Sequence, residues 1–457
     1  MNYAMVAIAV VAASAGVYTL FGTSPSSGVV ERAIAHEQCA PVSVDVDFGK
    51  RYEGPLIDTH IHIPHIPEGP SFMPSDRPEL GGNISLGDYA CTFAAEGTSK
   101  VFAFFPVFPG FEAQHLAIVK GAREQYPDLF VTFIMPPDRD DHPDGFPTVE
   151  ASVLQNMLGV YPDIFSGYGE IGLYARGDHG GPTGSPALPP DSARMRAIYP
   201  VVREHDLLVY VHLGEGQQAS FERALSENPD INFIFHGDQL IVYRENGRQD
   251  LTALDEILSR HPNVYYGIDE LYGDTWLLRP EGSKEEFFAH FKNYGALLQK
   301  DLATWKAFIE RHPNQVLWGT DRGASARWTM DADVGIYLTR YARTFIALLD
   351  PSVQENFAYK NAERLLLGNA ENPHEPPVTP PSPAPIVATQ PSPLTLPSQQ
   401  QACTNNARPV FSRHITDMSK VERIKPPPNK DRDGNLKTHS YLETLNNEMH
   451  QPTEGIQ

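Results

Sequence analysis

A chain of 457 residues can hold one large α/β domain with appendages or two to three ordinary domains. Its net charge of −21 is unevenly placed: residues 401–457 carry 8 Lys/Arg against 7 Asp/Glu, which leaves 28 against 50, or −22, on residues 1–400. Such a body repels nucleic acid on average and needs a local basic groove to hold it, so a nucleic-acid partner is not expected and a nuclease is disfavoured.

Ala4 to Phe21 is uncharged and mostly apolar. That length fits a secretory signal or a marginal membrane anchor, although no Lys or Arg precedes it. Residues 1–35 are therefore read as signal or anchor, with the alternative of an N-terminal helix packed on the protein itself. An exported or membrane-anchored chain with an extracytoplasmic catalytic domain is the expectation, and a cytoplasmic one stays open. The three cysteines, Cys39, Cys91 and Cys403, form no C-x-x-C and no thiolate zinc pattern. Cys39 and Cys403 flank the catalytic domain, so a disulfide joining its two ends is one expectation and three unpaired thiols the other.

Residues 36–370 form the expected catalytic domain. From residue 55 to 368, short apolar or β-branched runs alternate with longer amphipathic ones, the signature of a parallel sheet with crossover helices. Eight strands are predicted, at 55–62, 100–105, 129–134, 166–171, 207–212, 231–236, 263–268 and 315–320. Helices are predicted over Leu86–Glu96, Glu112–Tyr126, Ser192–His205, Gln218–Asn228, Leu251–Arg260, Lys284–Arg311 and Asp331–Leu349. His-Pro-Asn at 261–263 and again at 312–314 stops a helix and starts a strand. Eight strands close a (β/α)8 TIM barrel, with a doubly wound open sheet as the competing arrangement. Beyond it, residues 371–400 hold ten prolines and read as a semi-rigid extended linker. Residues 401–457 read as a polar, disordered tail. Within that tail, Asn429-x-Asp431-x-Asp433-Gly434 imitates half of a calcium loop, but Ser440 stands where the bidentate Glu is required, so an Asx-rich turn is the expectation.

Five strands end in residues suited to metal chemistry. Strand one runs Pro55-Leu-Ile-Asp-Thr-His60-Ile-His62, and strand alternation puts Asp58, His60 and His62 on one face, where two imidazoles can share an ion. Strand four ends at Glu170, strand five at His212, strand six at His236 and strand eight at Asp321. Taken singly, His212 or His236 reads as a core histidine, Glu170 as a partner of Arg176, and Asp321 as a partner of Arg322. Taken together, they fall where a closed barrel gathers all strand ends at one mouth.

Asp58-Thr-His60-Ile-His62, followed by His212, His236 and Asp321, resembles the amidohydrolase superfamily, in particular its amidohydrolase-related branch. Asn356-x-x-x-x-Asn361-Ala-Glu-Arg-Leu-Leu366 resembles that branch's closing helix. The likeness spans about residues 55–368. It implies that His60, His62 and Asp321 ligate one metal with His212 as a further ligand. It also implies that His236 is either a second-metal ligand or an acid/base group. Gly169-Glu170-Ile-Gly172 is similar to the corresponding strand of TatD-type deoxyribonucleases, where the glutamate is a ligand, although Tyr174-Ala-Arg departs from the nuclease pattern. A carboxylate at that place can bridge two divalent ions.

Imidazoles and carboxylates suit Zn²⁺, with Mn²⁺ or Fe²⁺ as alternatives, one ion or two. The expected activity is metal-dependent hydrolysis of a small carboxylic ester, lactone or amide. In it Asp321 shuttles the proton, His236 or Arg322 gives electrophilic help, and Arg322 either clamps a substrate carboxylate or phosphate or makes a structural ion pair. The competing readings are a one-metal nonoxidative decarboxylase, a TatD-like phosphodiesterase and an envelope-attached binding protein.

Overall fold

The computed structural model describes residues 30, 34, 39, 41–63, 84–107, 112–135, 148–174, 187–243, 249–269, 271–274, 277–278, 282–323 and 327–367. Residues 4–21, the proline-rich stretch, the tail with its calcium-loop likeness, and Cys403 lie outside these. Among the described residues no helix is long and apolar enough to cross a membrane.

Eight parallel strands make one sheet in sequence order: β1 (Ile57–His62), β2 (Lys100–Pro106), β3 (Phe130–Met135), β4 (Gly167–Gly172), β5 (Leu208–His212), β6 (Phe233–His236), β7 (Val264–Ile268) and β8 (Val316–Trp318). Sequence order with all neighbours parallel requires a helical crossover on one side of every step, and this curls the sheet toward a barrel. The seam between β8 and β1 is closed by a parallel bridge from Ile61 to Arg322 and by Thr59 Oγ1 donating to Trp318 O at 2.9 Å. The open-sheet alternative is therefore set aside, and the fold is a nearly closed (β/α)8 barrel.

The crossover helices are α1 (Leu86–Glu96), α2 (Glu112–Gln125), α3 (Ala151–Val160), α4 (Ala193–Glu204), α5 (Gln218–Glu227) and α6 (Thr252–Arg260). After β7 the single helix expected over 284–311 is broken into α7 (Lys284–His290), α8 (Tyr294–Asp301) and α9 (Ala307–Arg311), joined by a 3₁₀ turn and a π turn. Then come α10 (Ala332–Ile346), α11 (Pro351–Glu355) and α12 (Asn361–Leu366). α3 was not among the predicted helices. A two-residue antiparallel pair, Val242–Tyr243 with Gln249–Asp250, decorates the loop after β6.

The barrel interior is filled by Ile57, Phe102, Phe104, Phe133, Leu208, Tyr210, Ile234 and Leu317, and Ala362 and Leu365 of α12 join that cluster. Asn361 Nδ2 donates to Pro313 O and Val316 O at 3.0 and 2.8 Å, pinning α12 to the entrance of β8. The N-terminal end is thus plugged, and the polar strand ends are left at the opposite rim.

An N-terminal strap over residues 41–52 lies on α10. Arg340 Nη1 donates to Val44 O and Val46 O at 2.9 and 2.7 Å, and Phe48 is buried among Phe291, Tyr294, Tyr337 and Tyr341. Ile34 is already part of the core. The disulfide joins Cys39 to Cys91 on α1, not to Cys403. This corrects the end-to-end pairing. Pairing follows distance in space, and the Cα atoms of Cys39 and Cys91 lie 5.2 Å apart.

Candidate metal centre

The alternation of β1 brings His60 and His62 to the mouth side by side, their Nε2 atoms 3.1 Å apart. Asp321 arrives from the end of β8 with Oδ1 at 3.2 Å from both. It has positive φ (49°), a conformation Asp tolerates better than most residues. From β4, Glu170 places Oε2 at 3.4 Å from His60 Nε2 and 3.2 Å from His62 Nε2. Its other oxygen, Oε1, lies 3.1 Å from His212 Nδ1 and 2.7 Å from His236 Nε2.

Gly169, at φ 137°, lets β4 approach this closely, since a Cβ there would stand 2.3 Å from Tyr210 O. Among the described residues two groups have the spacing of metal ligands: His60, His62 and Asp321, and His60, Glu170 and His236. His212 joins neither among the described residues and reaches the site through Glu170.

The donor chemistry fits a divalent cation. Ligand atoms bound at about 2.0–2.2 Å stand about 3.0–3.5 Å from one another. Most of the separations here fall in that range, with His236 Nε2 to Glu170 closer. Lone-pair atoms also face lone-pair atoms, and that is stable only with a proton or cation between them.

The charges point the same way. Burial disfavours charge on His60, but Asp321 and Asp269 outweigh it and hold its pKa well above the ordinary value. Burial likewise opposes charge on His236, and Glu170 leads the groups that raise it to about 9. Glu170, despite burial, is held well below the carboxylate range by His236 and His212. Burial and the neighbouring charge of His236 lower His212 instead. Three carboxylates around the imidazoles, Glu170, Asp269 and Asp321, make a pocket that calls for positive charge.

Arg322 is not where a substrate clamp would be. Its guanidinium is fully buried and forks onto Glu96 of α1, with Nη1 to Oε2 at 2.9 Å and Nη2 to Oε1 at 2.6 Å. A guanidinium buried completely and committed to an ion pair cannot meet a substrate at the mouth, which argues against an electrophilic or clamping role for Arg322. Asp321 does not pair with it either: its Oδ1 faces His60 and His62 while Arg322 turns to Glu96.

Asp58 shares the His face of β1 but serves the frame. Its Oδ1 accepts from the His60 and Thr320 amides, both at 3.1 Å, and Oδ2 accepts from Thr320 Oγ1 at 2.6 Å. Burial pushes this carboxyl up to about 7.

One residue escaped the sequence reading. Asp269 follows Ile268 at the end of β7, the same pattern of an apolar strand ending in a polar group that exposed the others. Its Oδ2 lies 3.1 Å from His60 Nδ1 and 2.8 Å from His236 Nδ1. Tyr210 OH is 3.2 Å from the same His60 nitrogen.

The strand ends of this (β/α)8 barrel gather His-x-His, a carboxylate, two histidines and an aspartate, a donor set able to hold a metal ion. The chain belongs to the amidohydrolase family, whose model matches residues 57–367. No curated protein matches it significantly. Among solved structures it is similar to an amidohydrolase from Burkholderia multivorans with bound zinc, at 13% identity and TM-score 0.44, covering 69% of this chain and 100% of that one. A probable 2-pyrone-4,6-dicarboxylic acid hydrolase from Acinetobacter baumannii with citric acid bound gives 14%, TM-score 0.42, 68% and 98%. The 2,6-dihydroxybenzoate decarboxylase from Rhizobium gives 15%, TM-score 0.35, 68% and 98%.

Proposed function

We propose that this chain is a metal-dependent hydrolase of a small carboxylic ester, lactone or amide, in which Glu170 would serve as a shared ligand for two divalent ions. The observation that carries the reading is the division of Glu170, one oxygen toward His60 and His62 and the other toward His212 and His236. Residues His60, His62 and Asp321 would hold one ion and His236 with Glu170 the other, with zinc the best match to this nitrogen and oxygen set. When bound, such an ion lowers the pKa of a coordinated water toward about 7.

Asp321 accepts the proton of the attacking water and returns it to the leaving group. His60 and His62, buried against Phe104 with ring centroids at 5.0 and 5.3 Å, keep bulk water from the inner side. The −22 charge on residues 1–400 keeps polyanionic substrates a poor match. The Cys39–Cys91 disulfide supports an oxidising, extracytoplasmic location.

The test is metal content of the purified protein together with a panel of esters, lactones, amides, phosphodiesters and aromatic carboxylic acids. Two ions in wild type, at most one in Glu170→Ala, and turnover on the carboxylic panel that falls by at least about a thousandfold in the variant are expected. One ion in both proteins with unchanged turnover removes the bridge. Release of carbon dioxide from an aromatic acid, in place of hydrolysis, overturns the reaction class.

A further inference from the structure

Asp269 offers a single carboxylate oxygen to two different imidazoles. Oδ2 lies 3.1 Å from Nδ1 of His60 and 2.8 Å from Nδ1 of His236, which come from β1 and β6 and belong to the ligand group that contains Glu170. A carboxylate held ionised can only accept, so each ring must present Nδ1–H to it and turn Nε2 toward the centre.

The frame around Asp269 is fixed for this purpose. The turn that follows it carries two positive φ values, Tyr272 (73°) and Gly273 (84°). Its amides are held by the buried Asp301, whose Oδ2 and Oδ1 accept from Tyr272 N and Gly273 N, both at 2.8 Å. On the other side Gly319 makes the room, since a Cβ there would stand 2.4 Å from Asp269 Oδ1 and 2.8 Å from His60 Cβ. Oδ1 itself is buried without a hydrogen-bond partner among the described residues.

We infer that Asp269 is a positioning residue that locks His60 and His236 together in the Nδ1–H form, so that one side chain fixes the ligand-facing nitrogen of both. The inference rests on the proposed metal site for its purpose but not for its first readout. An asparagine cannot replace it. With its amide toward the rings, both Nδ1 atoms would have to become acceptors. With its oxygen toward them, the NH₂ would be buried against Gly319 without a partner.

The experiment is nuclear magnetic resonance of the full chain labelled with ¹⁵N in its histidine rings, metal-free and zinc-loaded, with zinc affinity measured by chelator competition. Wild type should show hydrogen-bonded Nδ1–H signals for His60 and His236 in both states, with Nε2 unprotonated once zinc is present. Asp269→Asn should lose that pattern and bind zinc about 10–100-fold more weakly, the usual effect of removing a group that orients a histidine ligand. Asp269→Ala should do the same, with an unchanged circular dichroism spectrum.

Protons on Nε2 of either ring in the zinc-loaded wild type would overturn the inference. So would zinc affinity within about threefold of wild type in both variants, well short of that expected loss. A wild-type protein that binds no zinc refutes the hydrolase reading instead, while its metal-free Nδ1–H signals still decide the role of Asp269.

Discussion

Asp321 and His60 touch at 3.2 Å yet differ in what they can reach: the His60 side chain has no exposure and that of Asp321 is 36% exposed. Of the two, Asp321 is the one open to a water or substrate entering from the mouth, and the proposed proton transfer is assigned to it for that reason. Asp321→Asn keeps the shape and loses the base, and turnover should drop by about two to four powers of ten in a protein that stays folded. Steady-state kinetics with metal content measured on the same sample checks this. Near-normal turnover with metal retained would remove Asp321 from the proton path.

Most residues of the site were readable because each obeys one rule, a polar group terminating an apolar run. Asp269 obeys it too. It was missed because Ile268-Asp269-Glu270 also looks like an ordinary acidic turn after a strand. Arg322 was misplaced for a different reason. Which way a side chain points after a positive-φ residue is a property of the backbone turn, and residue type alone does not reveal it.

Strap and staple act on the body from the element scale. The strap hangs on three kinds of contact: the Cys39–Cys91 disulfide, the two carbonyls held by Arg340, and Phe48 in its aromatic nest. Arg343 adds Tyr52 O and Gly54 O at 3.0 and 2.8 Å, which fixes the approach to β1. Replacing both cysteines by serine should lower unfolding stability by about 2–4 kcal/mol, since the bridge closes a long loop. Thermal unfolding of the variant, and of wild type under reducing agent, reads this out. No change in either would mean that Phe48 and the arginines hold the strap unaided.

Strand positions were legible from their apolar runs to within a residue or two. The helix over 284–311 was not legible as three pieces, because a π turn and a 3₁₀ turn keep the same apolar spacing while shifting the hydrogen bonds.

For the molecule as a whole, the histidines of the site tie stability to pH and to metal together. In metal-free protein His236 is raised from 6.5 to about 9. A raised histidine adds stability that is fully present below pH 6.5 and is lost as pH climbs through 9. The melting temperature of chelator-treated protein should therefore fall across pH 6.5–9. A divalent ion competes with those protons, so the rise in melting temperature on adding zinc should be larger at pH 8.5 than at pH 6. Differential scanning fluorimetry at several pH values tests both. A zinc-induced shift of equal size at both ends would break the link between these histidines and the ion.

The sequence by itself determined the eight strands and named six polar residues that the fold gathers at one rim, because each depends on a local pattern of apolar and polar groups along one strand. Tertiary structure decided what depends on distance between segments far apart in the chain. It closed β1 against β8 through Ile61 and Arg322, paired Cys39 with Cys91, and turned Arg322 away from the mouth onto Glu96. It also set Asp269 between two imidazoles. None of these contacts is written in a periodicity, since each is fixed by how the sheet curls and by which side chains then fall within a few ångströms of one another.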